Sequence, residues 1–104
     1  MGTVNPLAHD VQTFWQRLLS GDTGIARICR FDASSFSSQI GGEVIDWPGV
    51  PEEVVDRREL KRLDRFAQFA MGAAVEAVRD AGLDFQDTDK DRCGVLIGTG
   101  IGGL

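Results

Sequence analysis

The chain has 104 residues, and its 42% hydrophobic content is enough for the core of one small domain. The formal net charge of −5 argues against nucleic-acid binding through bulk electrostatics. No apolar run approaches the roughly 18 residues that a membrane span requires, and residues 1–6 lack the basic and apolar regions of a secretory signal. The two cysteines form no CxxC pair, which favours a reducing, cytoplasmic compartment.

The first predicted element is a helix that begins near Asp10 and ends at Ser20. Asp10 has the side chain of an N-cap, and Gly21 is a typical stop signal after the last turn. Apolar side chains recur within the helix at the spacing of one buried face: Val11, Phe14, Trp15, Leu18 and Leu19.

The middle of the chain shows shorter and more mixed patterns. Residues 21–24 combine glycine, aspartate and threonine, which is typical of a turn. One short strand is expected over residues 39–44. Pro48 and Pro51 bracket a second turn, and the pattern after them predicts a helix that starts near Glu52.

The clearest periodicity predicts a helix over residues 64–81, ended by Gly82. After a polar loop at residues 84–91, the apolar run at 93–97 is typical of a fully buried strand in a parallel sheet. Helices and strands joined by polar connections predict an α/β fold. The long helix carries a broad apolar stripe made of Phe66, Phe69, Ala70, Ala73, Ala77, Val78 and Ala81, widened by Met71, Ala74 and Val75.

A glycine-rich stretch, residues 98–104, follows the predicted strand. Because glycine loses more backbone entropy on ordering than other residues, we expect this stretch to pack only if further polypeptide covers it; a frayed tail is the alternative. Its spacing satisfies GxGxxG, but a dinucleotide site would be confirmed only by a following helix and an acidic residue about 20 positions on, and such a loop usually follows the first strand, whereas two predicted helices precede it here. The other hypotheses are a turn where backbone segments approach closely, and a loop that projects Ile101 into a ligand cavity.

A basic cluster precedes the long helix. Arg58, Lys61, Arg62 and Arg65 are spaced so that on a helix they would share one face. Cations near a helix start are disfavoured by the helix dipole, so local stability does not explain the cluster, whereas an acidic partner would. The alternative is a solvated face partly paired with neighbouring acids, namely Glu52, Glu53, Asp56 and Glu59.

No pair of nucleophile and base stands out in the sequence. His9, the single histidine, lies beside Asp10 ahead of the first helix, where a role near the helix cap is favoured over catalysis. Cys93 opens an apolar run and is expected to be a small buried side chain rather than a reactive thiolate. Neither Cys93 nor Cys29 has a histidine at metal-ligand spacing, so no metal site is predicted.

As a set, these segments resemble the amino-terminal part of the β-ketoacyl-acyl-carrier-protein synthases, and most of all the type II condensing enzymes of bacterial fatty-acid synthesis. The matching stretches run in family order over the whole chain and are specific together, although each is weak alone. They are Gly2-Thr3-Val4-Asn5-Pro6-Leu7, Phe14-Trp15 with Leu18-Leu19, Gly24-Ile25, Arg30-Phe31-Asp32, Asp64-Arg65-Phe66, Ala81-Gly82-Leu83 and Gly98-Thr99-Gly100-Ile101-Gly102-Gly103-Leu104.

The resemblance implies an incomplete thiolase-like α/β fold, in which residues 1–104 form part of an amino-terminal β-ketoacyl synthase domain. The family's first strand would precede Met1, and most of the enzyme, with its nucleophilic cysteine and two histidines, would follow Leu104. The implied reaction of this acyltransferase is the decarboxylative condensation of an acyl thioester with malonyl-carrier protein. The parent is expected to be a homodimer without metal or redox cofactor, and this chain alone is expected to be inactive.

The resemblance also assigns residues. Arg58, Lys61 and Arg62 match family positions that dock the acidic acyl carrier protein, and Ile101 matches a residue that lines the acyl-chain pocket. No residue of this chain is assigned to catalysis. Two alternatives stay open: part of a polyketide-type ketosynthase or chain-length factor, and a non-catalytic module that binds carrier protein.

Overall fold

A computed structural model describes residues 1–103; Leu104, the last residue of the glycine-rich stretch, lies outside the described residues. The chain divides into two compact units, one formed by Thr3–Pro48 and the other by Met1–Gly2 together with residues 49–103. The elements are α1 (Val11–Leu19), β1 (Ile25–Arg27), β2 (Ile40–Gly42), α2 (Arg57–Leu60), α3 (Arg65–Ala81) and a short 3-10 helix (Lys90–Arg92).

Helix α1 confirms the predicted helix and its cap, but the expected buried face is wrong for the described residues, since Trp15 and Leu19 are 59% and 70% exposed. Asp10 is the N-cap, and its side chain accepts a hydrogen bond of 2.7 Å from the backbone N–H of Thr13. This bond satisfies one of the N–H groups that a helix start leaves without a partner. Gly21 follows the C-cap Ser20 with a φ of 75°, so the chain leaves the helix through a conformation that glycine adopts without strain.

The strand predicted over residues 39–44 is present as the shorter β2, which pairs with β1 in an antiparallel hairpin. Ile25 lies opposite Gly42, and Arg27 lies opposite Ile40. Beyond the paired residues, one side chain links the two sides of the hairpin. The Glu43 carboxylate accepts the backbone N–H groups of Cys29 at 2.8 Å and Arg30 at 3.2 Å.

The helix predicted near Glu52 starts later than expected. Residues 52–54 form a turn, closed by a 3.0 Å hydrogen bond from the Val54 N–H to the Pro51 carbonyl. The helix begins only after Asp56, whose carboxylate accepts the Arg58 N–H at 2.6 Å. The N-cap, rather than the proline, therefore sets the start of α2.

Helix α3 confirms the longest predicted element. Asp64 is its N-cap and Gly82 its C-cap, and Gly82 adopts the left-handed conformation with a φ of 61°. In the same unit Gly2 lies against this helix, because a side-chain carbon at Gly2 would overlap the carbonyl oxygen of Ala73 and lie 2.8 Å from the backbone nitrogen of Ala77. The small residues of the stripe thus permit the close backbone approach.

The prediction of a strand over residues 93–97 is wrong. These residues have no regular secondary structure, and the side chains of Val95 and Leu96 are 90% and 96% exposed. A strand needs backbone partners on a neighbouring strand, and among residues 1–103 none pairs with this run. The α/β prediction is confirmed only in its coarser form, since the described residues hold helices and one small antiparallel sheet.

In the described part of the chain five hydrophobic side chains are buried, and all of them lie outside the helices and strands. They are Leu7, Ala8, Ala33, Val50 and Val55. In the second unit an apolar groove of about 380 Å³ follows α3, with Met71, Ala74, Val75 and Val78 along one wall and Val54 opposite. No helix in the described part of the chain is long and apolar enough to cross a membrane.

Candidate functional site

The basic cluster does not lie on one face of a single helix, as its spacing had predicted. Helix α2 ends at Leu60, Lys61 is its C-cap, and Arg65 opens the separate helix α3. The guanidinium of Arg65 lies over the ring of Phe69, 5.0 Å from its centre. The break falls at Asp64, the N-cap of α3, whose extended backbone interrupts the helical conformation between the two segments.

Three cations remain together on one short segment, which we call the basic turn, residues 57–63. Arg58 lies in α2, Lys61 caps it, and Arg62 follows in the connection to α3. All three are exposed, and among residues 1–103 their side chains form no salt bridge. The structure therefore presents three solvated positive charges within five consecutive positions.

The neighbouring acids do not neutralise these three charges. Glu52 pairs with Arg57, and Glu53 pairs with Arg79 at 3.1 Å. The carboxylate of Asp56 accepts the backbone N–H that begins α2. Arg57 is thus paired, as the solvated-face alternative expects for part of the cluster, whereas Arg58, Lys61 and Arg62 are solvated and, among residues 1–103, form no salt bridge with these acids or with Glu59.

The basic turn is held in place by Gln68 of α3. Its side-chain amide donates to the carbonyl of Leu60 at 3.2 Å and to the carbonyl of Leu63 at 2.9 Å. The sequence prediction missed this residue. The available signal was that Gln68 is the one uncharged polar side chain in an otherwise apolar and charged helix, next to the stripe.

The backbone of the glycine-rich stretch lies against the start of α3 at Gly102 and Gly103. A side-chain carbon at Gly103 would overlap the carboxylate of Asp64, and one at Gly102 would lie 3.7 Å from the ring of Phe66. Both contacts join these glycines to side chains, so they do not show the approach of two backbone segments that one hypothesis expected. The side chain of Ile101 is 76% exposed.

Residues around His9 form a cavity of about 370 Å³ in the unit Thr3–Pro48. The charged side chains that line it form hydrogen bonds within the same unit. Arg17 donates to Asp22 at 3.0 Å and to the Leu7 carbonyl at 2.5 Å. The backbone N–H of Thr13 lowers the pKa of Asp10, and that of Cys29 lowers the pKa of Glu43. The charged side chains Asp10, Arg17 and Glu43 of its wall are thus each hydrogen-bonded within the unit.

Neither cysteine has the surroundings of a nucleophile. Cys93 is exposed, so the prediction that it is buried is wrong, and the reason is that residues 93–97 do not form a covered strand. Cys29 is also exposed, and its hydrogen bond with Glu43 raises the pKa of the thiol, which disfavours the reactive thiolate. Within residues 1–103, no three His, Cys, Asp or Glu side chains converge to hold a metal ion.

Comparison with known proteins places this arrangement in a family. The family described as "Beta-ketoacyl synthase, N-terminal domain" matches residues 1–104. Proteins named 3-oxoacyl-[acyl-carrier-protein] synthase 2 are similar over all 104 residues: 45% identical in Synechocystis sp., 46% in Coxiella burnetii and 44% in Staphylococcus aureus. The chain spans 24% to 25% of the length of these curated relatives. The chain belongs to the β-ketoacyl synthase family, in the amino-terminal region that this family description covers.

Proposed function

We propose that this chain is the amino-terminal part of a 3-oxoacyl-[acyl-carrier-protein] synthase of fatty acid biosynthesis, in which its basic turn docks the acyl carrier protein. The relatives that carry this name align with every residue of the chain. The observation that carries the proposal is the group of three exposed cations, Arg58, Lys61 and Arg62, which form no salt bridge within residues 1–103. Such charges steer and orient an acidic partner.

The condensation chemistry lies with residues of the whole enzyme that this chain does not supply. The family reaction uses a cysteine thioester and two histidines, and neither Cys29, Cys93 nor His9 corresponds to them. We assign the chain two supporting roles: it receives the carrier protein at the basic turn, and Ile101 helps to limit the acyl chain that the pocket accepts. The whole enzyme is proposed to act as a cytoplasmic homodimer.

Charge reversal tests the docking role. Arg62→Glu in the full-length protein should weaken binding of acyl carrier protein about tenfold at low ionic strength, because a repulsive charge replaces an attractive one. Arg27→Glu is the matched control, since Arg27 is exposed on β1 and the substitution changes the net charge equally. The affinity is measured by titration of labelled carrier protein, and the difference should disappear at about 0.5 M NaCl. Equal affinities of the two variants at low salt would contradict the proposal.

The pocket role of Ile101 is tested by enlarging its side chain. Ile101→Phe should shorten the longest acyl chain that the enzyme elongates, since a ring takes space that the end of the substrate would occupy. Ile101→Val, which removes one methylene, should leave the profile unchanged or extend it slightly. Product lengths are measured by mass spectrometry of the acyl-carrier products. An unaltered profile in Ile101→Phe would refute the pocket role.

A further inference from the structure

The segment that carries the three cations cannot hold its own shape. Helix α2 has only four residues, and a helix of one turn is unstable in water because the first turn fixes several dihedrals for few hydrogen bonds. The carbonyls of Arg57, Glu59 and Leu60 accept local hydrogen bonds from the N–H groups of Lys61, Arg62 and Leu63, and these bonds lie within the segment itself. The position of the basic turn therefore depends on contacts from outside it.

Gln68 supplies two such contacts at the end where the cations are concentrated. Its amide binds the carbonyls of Leu60 and Leu63, which flank Lys61 and Arg62 on both sides. Leu60 and Leu63 are half-buried, and the Leu63 N–H donates to the Leu60 carbonyl at 3.2 Å. One side chain thus joins both ends of the bend to the first turns of α3.

The opposite end of the basic turn has its own support. Asp56 caps α2 through the Arg58 N–H, and Arg57 pairs with Glu52. Loss of the Gln68 amide would consequently release the carboxyl end, where Lys61 and Arg62 lie, while the start of α2 stays anchored.

We infer that Gln68 is a positioning residue of the carrier-protein docking surface, an inference that rests on the proposed function. It sets the spacing of Lys61 and Arg62 relative to α3, and touches neither partner nor substrate. A partner that recognises charges at defined spacing loses affinity when the charges become mobile, because binding must then also order them. Gln68 contributes to affinity through geometry rather than through charge.

The test uses Gln68→Met in the full-length protein, since methionine keeps the length and helix propensity of glutamine and removes both donors. We expect carrier-protein binding about fivefold weaker at low ionic strength, matching the loss of hydrogen bonds of ordinary strength. Gln16→Met, at an exposed position inside α1, is the matched control and should bind like the parent protein. Gln68→Lys keeps an N–H donor at this site and should restore binding to the level of its own control, Gln16→Lys.

The outcomes separate the inference from the proposal that it extends. If Arg62→Glu weakens binding and Gln68→Met does not, the positioning role is overturned and the docking proposal stands. If neither variant weakens binding, the docking proposal fails and the inference falls with it. Loss of the cooperative unfolding transition in Gln68→Met, or equal weakening by Gln68→Met and Gln68→Lys, would also overturn it, because Gln68 would then serve general stability.

Discussion

Helix α3 is amphipathic and the run at residues 93–97 is apolar throughout, and both were predicted as regular elements. Only the helix is present in the described chain, complete from Arg65 to Ala81. A helix satisfies most of its backbone hydrogen bonds within itself, whereas every bond of a strand comes from a neighbouring chain. The sequence of a segment therefore determines whether it can form a strand, but the strand forms only where a neighbouring strand supplies the backbone hydrogen bonds.

The largest expected change in the free energy of unfolding comes from a comparison of two glycines, one packed against α3 and one in the run at residues 93–97. Gly2→Ala should destabilise the protein by about 3 kcal/mol, because the new carbon meets the backbone of α3, which cannot move aside as a side chain could. Gly94→Ala should be nearly neutral, since among the described residues nothing lies within 4 Å of the added carbon. Urea unfolding measures both. A loss at Gly94 as large as that at Gly2 would show that residues 93–97 are packed.

An effect of intermediate size is expected at the helix caps. Asp10→Ala should cost about 1 kcal/mol of the free energy of unfolding, because the Thr13 N–H loses its acceptor. Asp64→Ala should cost less, since within residues 1–103 this N-cap makes no side-chain cap hydrogen bond. Equal losses at the two caps would mean that the capping bond is not what stabilises α1.

The Asp10 contribution should also depend on pH in a defined direction. Its pKa is lowered in the folded protein, so the stabilisation is present above the ordinary carboxyl pKa of about 4 and is lost as the pH falls through the folded value. The stability difference between parent and Asp10→Ala should therefore be constant near neutral pH and shrink in acid. A difference that grows below about pH 4 would contradict this assignment.

The smallest effect is expected in the exposed run itself. Leu96→Ser should change the free energy of unfolding by less than about 0.5 kcal/mol, because the side chain is already in water. Val50→Ala, at a buried position of the same unit, should cost about 2 kcal/mol and serves as the comparison. A loss above about 1 kcal/mol for Leu96→Ser would show that this run is covered in solution.

The sequence predicted those elements whose signals lie within the element itself or at its ends. Asp10 marked the start of α1, and Gly82 marked the end of α3. Together with the apolar spacing inside each helix, these caps predicted both helices to within about a residue. The contacts of Gln68 could not be predicted, because they depend on a turn that brings the carbonyls of Leu60 and Leu63 to its amide. The same holds for Glu43, whose partners lie across the hairpin. The start of α3 at Asp64 was predicted, whereas the shared face of the basic cluster would have required one continuous helix through residues 58–65.

The docking role of the basic turn is the central claim, and hydrogen–deuterium exchange of the full-length protein tests it directly. Exchange is followed by mass spectrometry with and without saturating acyl carrier protein at low ionic strength. We predict that the backbone amides of residues 57–63 exchange more slowly in the complex, while those of α1 do not change. Slower exchange confined to other parts of the protein would contradict the claim.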